Sequence, residues 1–84
     1  DTATATYTIQ NLETDVAAEI TKESITVSNS EYFKVTTSVD NGALTIARNN
    51  TGTVTVTVEL IKMPITAEES TTSITVELNA AAVQ

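Results

Sequence analysis

The sequence predicts a small all-β domain, an antiparallel β-sandwich of about seven strands. Apolar residues alternate with threonine in several short runs, such as GTVTVTVEL over residues 52–60 and TATATYTI over residues 2–9. Threonine occupies 18 of the 84 positions, and β-branched residues favour strands. Turn-forming residues separate the runs at short intervals, which is typical of a sandwich or barrel.

The composition limits the function classes open to this chain. Its 84 residues predict one domain, residues 1–84, close to the smallest size that a core supports without disulfides. It has no histidine and no cysteine, so thiolate and imidazole metal sites are excluded, and we expect no metal and no cofactor. The net charge of −7 disfavours nucleic-acid binding, and no apolar run is long enough to insert into a membrane.

The first half of the chain contains one segment with two interpretations. Residues 2–10 alternate as a strand, but residues 12–21 fit both a helix and a strand. Leu12, Val16 and Ile20 would lie on one stripe of a helix that Asn11 caps. The even-numbered residues from 12 to 20 also alternate with polar residues, and periodicity does not separate the two. We favour the strand, because a lone helix would need a sheet face to cover.

The remaining alternation predicts strands at residues 24–28, 31–39, 43–48, 53–60 and 71–78. Residues 43–48 and 53–60 are predicted to pair as a hairpin, and the turn over residues 40–42 offers residues that accept a positive φ. Seven candidate strands in one small domain are typical of an immunoglobulin-like sandwich. The predicted core consists of Ile25, Val27, Phe33, Val35, Leu44, Ile46, Val54, Val56, Val58, Ile74 and Val76.

The apolar phase shifts after Leu60, because Ile61, Met63 and Ile65 have the opposite parity to the preceding valines. A bulge or a crossing between sheets would produce this shift, and Pro64 places it in a loop or at an edge. The C-terminal tail, residues 79–84, shows no strand pattern and is interpreted as a linker or contact segment.

Four segments resemble one known family in their order: SITVSNS, EYFKVTTS, ALTIARNNTGTVTVTV and STTSITVEL. Together they are similar to the BACON-type immunoglobulin-like domains of Bacteroidetes surface proteins and some of their phages. The resemblance implies a β-sandwich on an extracellular or virion surface. The family usually has tryptophans around the positions of Phe33 and Leu44, where this chain has none. That departure argues against the carbohydrate binding proposed for the family.

No catalytic residues are expected. Without histidine or cysteine only paired carboxylates remain, and Glu13 with Asp15 and Glu68 with Glu69 are the closest pairs. A glycosidase pair needs a cleft with aromatic platforms, which three aromatic residues cannot build. Asp40 and Asn41 supply oxygen ligands for calcium, but the loop pattern of a calcium site is missing.

We therefore expect a non-enzymatic structural or interaction module of an extracellular, cell-surface or virion-surface assembly. Its partners would be other protein subunits, a homo-oligomer included. The contact would be a strand edge or the apolar residues Ile61, Met63 and Ile65 rather than a pocket. The N-terminal strand, within residues 1–11, is a candidate for pairing between subunits, although completing its own sheet is the simpler role.

The alternative function is a small carbohydrate-binding, adhesin-like module. It would use Tyr7 or Tyr32, whose rings could stack on sugars, whereas Phe33 is expected in the core. Asn49 begins the glycosylation sequon Asn49-Asn50-Thr51. The sequence starts at Asp1, which fits a processed mature terminus or an excised segment equally well.

Overall fold

The computed structural model describes residues 1–83, and this part of the chain is all-β, with six strands and no helix. The alternating segments form strands because one side of each is apolar and the other is threonine or charge. The strands are β1 (Thr2–Gln10), β2 (Ala17–Val27), β3 (Phe33–Thr37), β4 (Leu44–Ile46), β5 (Thr51–Leu60) and β6 (Ile74–Val83).

The strands form two three-stranded antiparallel sheets, in the orders β1-β5-β3 and β4-β2-β6. The predicted hairpin between residues 43–48 and 53–60 is wrong, because β4 and β5 lie in different sheets. Asn49 takes a positive φ of 58° in the turn that carries the chain across. No glycine has a positive φ, so the turn over residues 40–42 closes without the left-handed conformation that its sequence allows.

The second and third predicted strands form one continuous strand, β2, which reduces the count from about seven to six. The helix alternative for residues 12–21 is wrong: residues 11–16 form an irregular connection that bends at residues 14–15, and β2 begins at Ala17. The register of β2 against β6 shifts between Lys22 and Ser24, leaving Glu23 as the extra residue of a β-bulge. The bulge explains why the Ile20 and Ile25 side chains can both point between the sheets although one position is even and the other odd.

The alternation in β1 and β5 is confirmed by the register between these strands. Val54 and Val56 are buried, while threonines of β1 lie opposite threonines of β5 on the outer side. This face carries three cross-strand threonine pairs, and we call it the hydroxyl lattice: Thr4 with Thr57, Thr6 with Thr55 and Thr8 with Thr53.

The core is concentrated around one end of the sandwich. The buried cluster contains Ile20, Val39, Ile46 and Val54, with Ile9, Leu44 and Leu78 packed against it. Of the eleven predicted core residues only Ile46, Val54 and Val56 are fully buried, and the other eight are half-buried. Ile20 and Val39 are core residues outside that predicted set.

Asn11 is a buried polar residue that joins three segments beside this core. Its side-chain amide donates to the carbonyls of Val16 at 3.0 Å, Ile46 at 3.2 Å and Ala47 at 3.4 Å. Its Oδ1 accepts from the backbone N–H of Glu13 at 3.0 Å. The residue that would have capped a helix therefore closes a turn instead, as asparagine commonly does.

The C-terminal segment differs from the prediction, because residues 79–83 continue β6 and pair with the start of β2. Gln84, the last residue of the predicted tail, lies outside the described residues. These long strands make the molecule elongated, with dimensions of 52 × 18 × 17 Å. Its radius of gyration is 15.4 Å, against roughly 12 Å for a compact domain of this length.

Candidate functional site

An apolar groove runs between the two sheets on the side where β1 faces β6. It encloses about 510 Å³. Its lining contains no ionisable group except the Tyr7 phenol. The lining residues are Ala3, Thr4, Ala5, Tyr7 and Ile9 of β1, Val54, Val56 and Val58 of β5, and Ile74, Val76 and Leu78 of β6. We call this surface the β1/β6 groove.

The groove exists because the inward side chains of β1 are too small to close the sandwich. Ala3 and Ala5 lie opposite Val58 and Val56 in the register, and both alanines are exposed although they point between the sheets. Tyr7 follows on the same side with 57% of its surface exposed. The sequence signal was present in the small residues of TATATY, but the sequence did not show that β6 would lie across from them.

Both walls of the groove are edge strands. β1 has a neighbour only on its β5 side, and β6 has one only on its β2 side. Each therefore presents an unpaired row of backbone N–H and C=O groups beside an apolar floor. Such an edge can hydrogen-bond an incoming strand while the groove takes its alternate side chains.

A second apolar surface is the segment from Ile61 to Ile65, which we call the apolar connection. It leads from the end of β5 in one sheet towards β6 in the other, so the predicted crossing between sheets accounts for the shifted parity. Ile61, Met63 and Ile65 are 52%, 78% and 90% exposed, respectively. These side chains are therefore not buried inside the monomer.

The apolar connection is held at both ends by backbone hydrogen bonds. The N–H of Ile61 donates to the carbonyl of Tyr32 at 2.8 Å. At the other end the Glu69 carboxylate accepts from the N–H groups of Ile65 at 2.8 Å and Thr66 at 3.2 Å. These bonds, the Ile65 one foremost, and the Tyr32 hydroxyl lower the pKa of Glu69. The connection is thus exposed but fixed in position.

Tyr32 belongs to the base of this connection rather than to an open sugar platform. The Lys62 ammonium lies 5.3 Å from the centroid of its ring, within cation–π range. Lys62 also pairs with Glu31, and that contact raises the pKa of Lys62. A hydrogen bond from the Tyr32 hydroxyl to Glu69 raises the pKa of Tyr32. One face of the ring is therefore occupied by a cation.

The other candidate residues do not converge on either surface. Asn49 is exposed in the β4–β5 turn, and its N–H donates to the Glu13 carbonyl at 2.8 Å. Asp40 accepts from the N–H of Thr37 at 3.0 Å and lies 3.4 Å from Lys22. Within residues 1–83 no three acidic side chains converge in a group that could hold a metal ion.

The arrangement is therefore suited to binding extended apolar chains or protruding side chains. The described part of the chain contains no helix long and apolar enough to cross a membrane. No protein-family model, curated protein or solved structure matches this chain.

Proposed function

We propose that this chain is a non-enzymatic structural or interaction module that binds protein subunits through its edge strands and the apolar connection. The observation that carries the proposal is the β1/β6 groove, where two unpaired strand edges flank an apolar floor. Large exposed apolar patches on a small domain mark protein contacts more often than incidental surface.

The proposal includes an immunoglobulin-like sandwich in an extracellular, cell-surface or virion-surface assembly. Two antiparallel sheets and the resemblance of residues 24–78 to BACON-type domains support it. The outer face of β1 and β5 carries paired threonines, which suit contact with water. The groove side of these strands is therefore the side left for a protein contact.

The test measures binding of fluorescent ten-residue peptides in which valine alternates with threonine. Such peptides can pair with an edge and place alternate side chains in the groove. We expect saturable binding. Val76→Lys should abolish it, because the charge enters the groove, whereas Thr75→Lys on the outer side of the same strand should retain it.

A second variant guards against simple unfolding of the first. Ala5→Leu should fill the groove, remove peptide binding and keep or raise the melting temperature. Failure of all alternating peptides to bind would contradict the proposal. Reproducible glycan-array binding that Tyr7→Ala or Tyr32→Ala removes would favour the carbohydrate-binding alternative in its place.

A further inference from the structure

We infer that the occupant of the β1/β6 groove is the apolar connection of a second copy of this chain, so that copies assemble head to tail. This inference rests on the proposed function and names its partner. Two surfaces of the same chain carry it: an apolar groove flanked by two unpaired strand edges, and an exposed apolar segment.

The spacing of the two surfaces matches. Inward residues of β1 and β6 recur every second position, about 6.6 Å apart along a strand. Ile61, Met63 and Ile65 also recur every second position. Pro64 fixes its own φ and holds Met63 in the extended region, so Met63 and Ile65, the two most exposed of the three, repeat at strand spacing. The bend at Lys62 sets Ile61 off from that line.

The charges of the two surfaces are compatible with contact between identical copies. The groove is lined without a carboxylate or an ammonium group. The one charged residue of the connection, Lys62, is already paired with Glu31. The Glu69 carboxylate at the end of the connection is also engaged, because it accepts the N–H groups of Ile65 and Thr66. The net charge of −7 acts between copies as a repulsion that salt screens.

The connection is also prepared for insertion rather than for strand pairing. Its ends are fixed by the bonds to Tyr32 and Glu69, so little conformational entropy is lost on docking. Pro64 has no N–H to give to a strand edge. Insertion of the Met63 and Ile65 side chains between the walls is then the main contact.

The connection and the groove are different surfaces, so the contact is heterologous. Each added copy leaves one groove and one connection available, and a contact of this type continues into a ring or an open filament. Because the copies repel one another at long range, assembly should strengthen as salt rises. Binding of a basic partner protein, by contrast, would weaken as salt rises.

The absence of cysteine permits a direct test by disulfide trapping on the full chain. Ala5→Cys places a thiol in the groove and Met63→Cys places one on the connection. Mixed under mild oxidation, these variants should form a heterodimer about tenfold faster or more than a control pair, because docking raises the effective concentration of the thiols. The control pairs Ala5→Cys with Leu12→Cys, since Leu12 is 75% exposed but lies outside both surfaces.

A complementation experiment tests the same contact without cross-links. Met63→Lys disables the apolar connection, and an Ala3→Leu/Ala5→Leu double variant fills the β1/β6 groove. Each alone should be monomeric by light scattering with an unchanged fold, whereas their mixture should form a capped dimer. Wild type should form larger species, increasingly so with salt.

The outcomes separate this inference from the proposed function. Trapping no faster than the control, with wild type monomeric at every concentration and salt, overturns assembly between copies. If alternating peptides still bind the groove in that case, the interaction role stands with a different partner. If neither peptides nor copies bind, both proposals fail.

Discussion

Ile46 and Gly52 pack against each other where the chain crosses from one sheet to the other. A Cβ on Gly52 would lie 2.9 Å from Cγ1 of Ile46 and 3.2 Å from Cδ2 of Leu44. Ile46 is only 2% exposed and belongs to the core cluster, so moving it would disturb its core neighbours. The missing side chain of Gly52 is therefore what allows β4 to lie under the start of β5.

Gly52→Ala should destabilise the protein by about 1–3 kcal/mol, because it overpacks this contact. The measurement is chemical denaturation followed by circular dichroism. Gly42→Ala is the matched control, since a Cβ there meets nothing within 4 Å and the glycine does not have a positive φ. That control should leave stability unchanged or slightly raised. Equal effects of the two changes would contradict the packing described here.

Asn11→Ala should lower the free energy of unfolding by about 2 kcal/mol or more, because buried carbonyls lose their donor. Asn11 is 6% exposed and its amide serves the segments of Val16 and Ile46. Asn11→Asp should be at least as damaging at neutral pH, since it directs a carboxylate at those carbonyls. Asn41→Ala, at an exposed turn, is the control and should melt like the parent protein.

Asp40 should contribute to stability in a pH-dependent way. The Thr37 N–H donates to its carboxylate, and that bond, with the Thr37 hydroxyl and Lys22 contacts, holds the pKa of Asp40 below its usual range. The contribution is fully present above the unfolded pKa of about 3.9 and is lost as the pH falls through the lower folded pKa.

The measurement for Asp40 is unfolding free energy against pH. Asp40→Asn should be less stable than the parent at neutral pH and should lose less stability on acidification. Asp15→Asn, on an exposed bend, is the control and should match the parent's stability at neutral pH. If the unfolding free energies of Asp40→Asn and the parent differ by the same amount down to pH values well below 3.9, Asp40 is not responsible for the loss of stability in acid.

Deletion of Glu23 should be tolerated, because it removes the extra residue of the bulge and leaves a regular ladder between β2 and β6. After the deletion Ser24 still pairs with Glu77, and Ile25 still points between the sheets. Deletion of Thr26 is the control. It would turn Val27 to the outer face and should unfold the chain. Thermal melting of the two deletions decides, and an unfolded Glu23 deletion would show that the bulge itself is required.

The sequence predicted the strands better than their partners. Alternation identified β5 because Val54 and Val56 lie on its buried face, and side chains on one face of a strand recur at every second position. It divided β2 because the parity differs between Ile20 and Ile25, and a single bulge residue carries no signature of its own. The false hairpin followed from the short turn at Asn49, since turn residues show where a chain reverses but not which sheet it joins.

The candidate site was predictable in part for the same reason. The exposed connection followed from the shifted parity of Ile61, Met63 and Ile65, which is a local property of the sequence. The groove depends on β6 lying across from β1, a relation between residues about 70 positions apart that no local pattern encodes.

The pairing order also sets how this chain can fold. Within residues 1–83 the four ladders join β1 with β5, β5 with β3, β2 with β4 and β2 with β6, so none joins strands that are consecutive in sequence. Every ladder must close a long loop before its contacts form, which places such a domain among the slower folders, on timescales of milliseconds to seconds. During synthesis β2 cannot gain its longest partner until β6 has emerged. The sheet β1-β5-β3 has all its strands once Leu60 has been made, whereas the sheet β4-β2-β6 has to wait for Ile74–Val83.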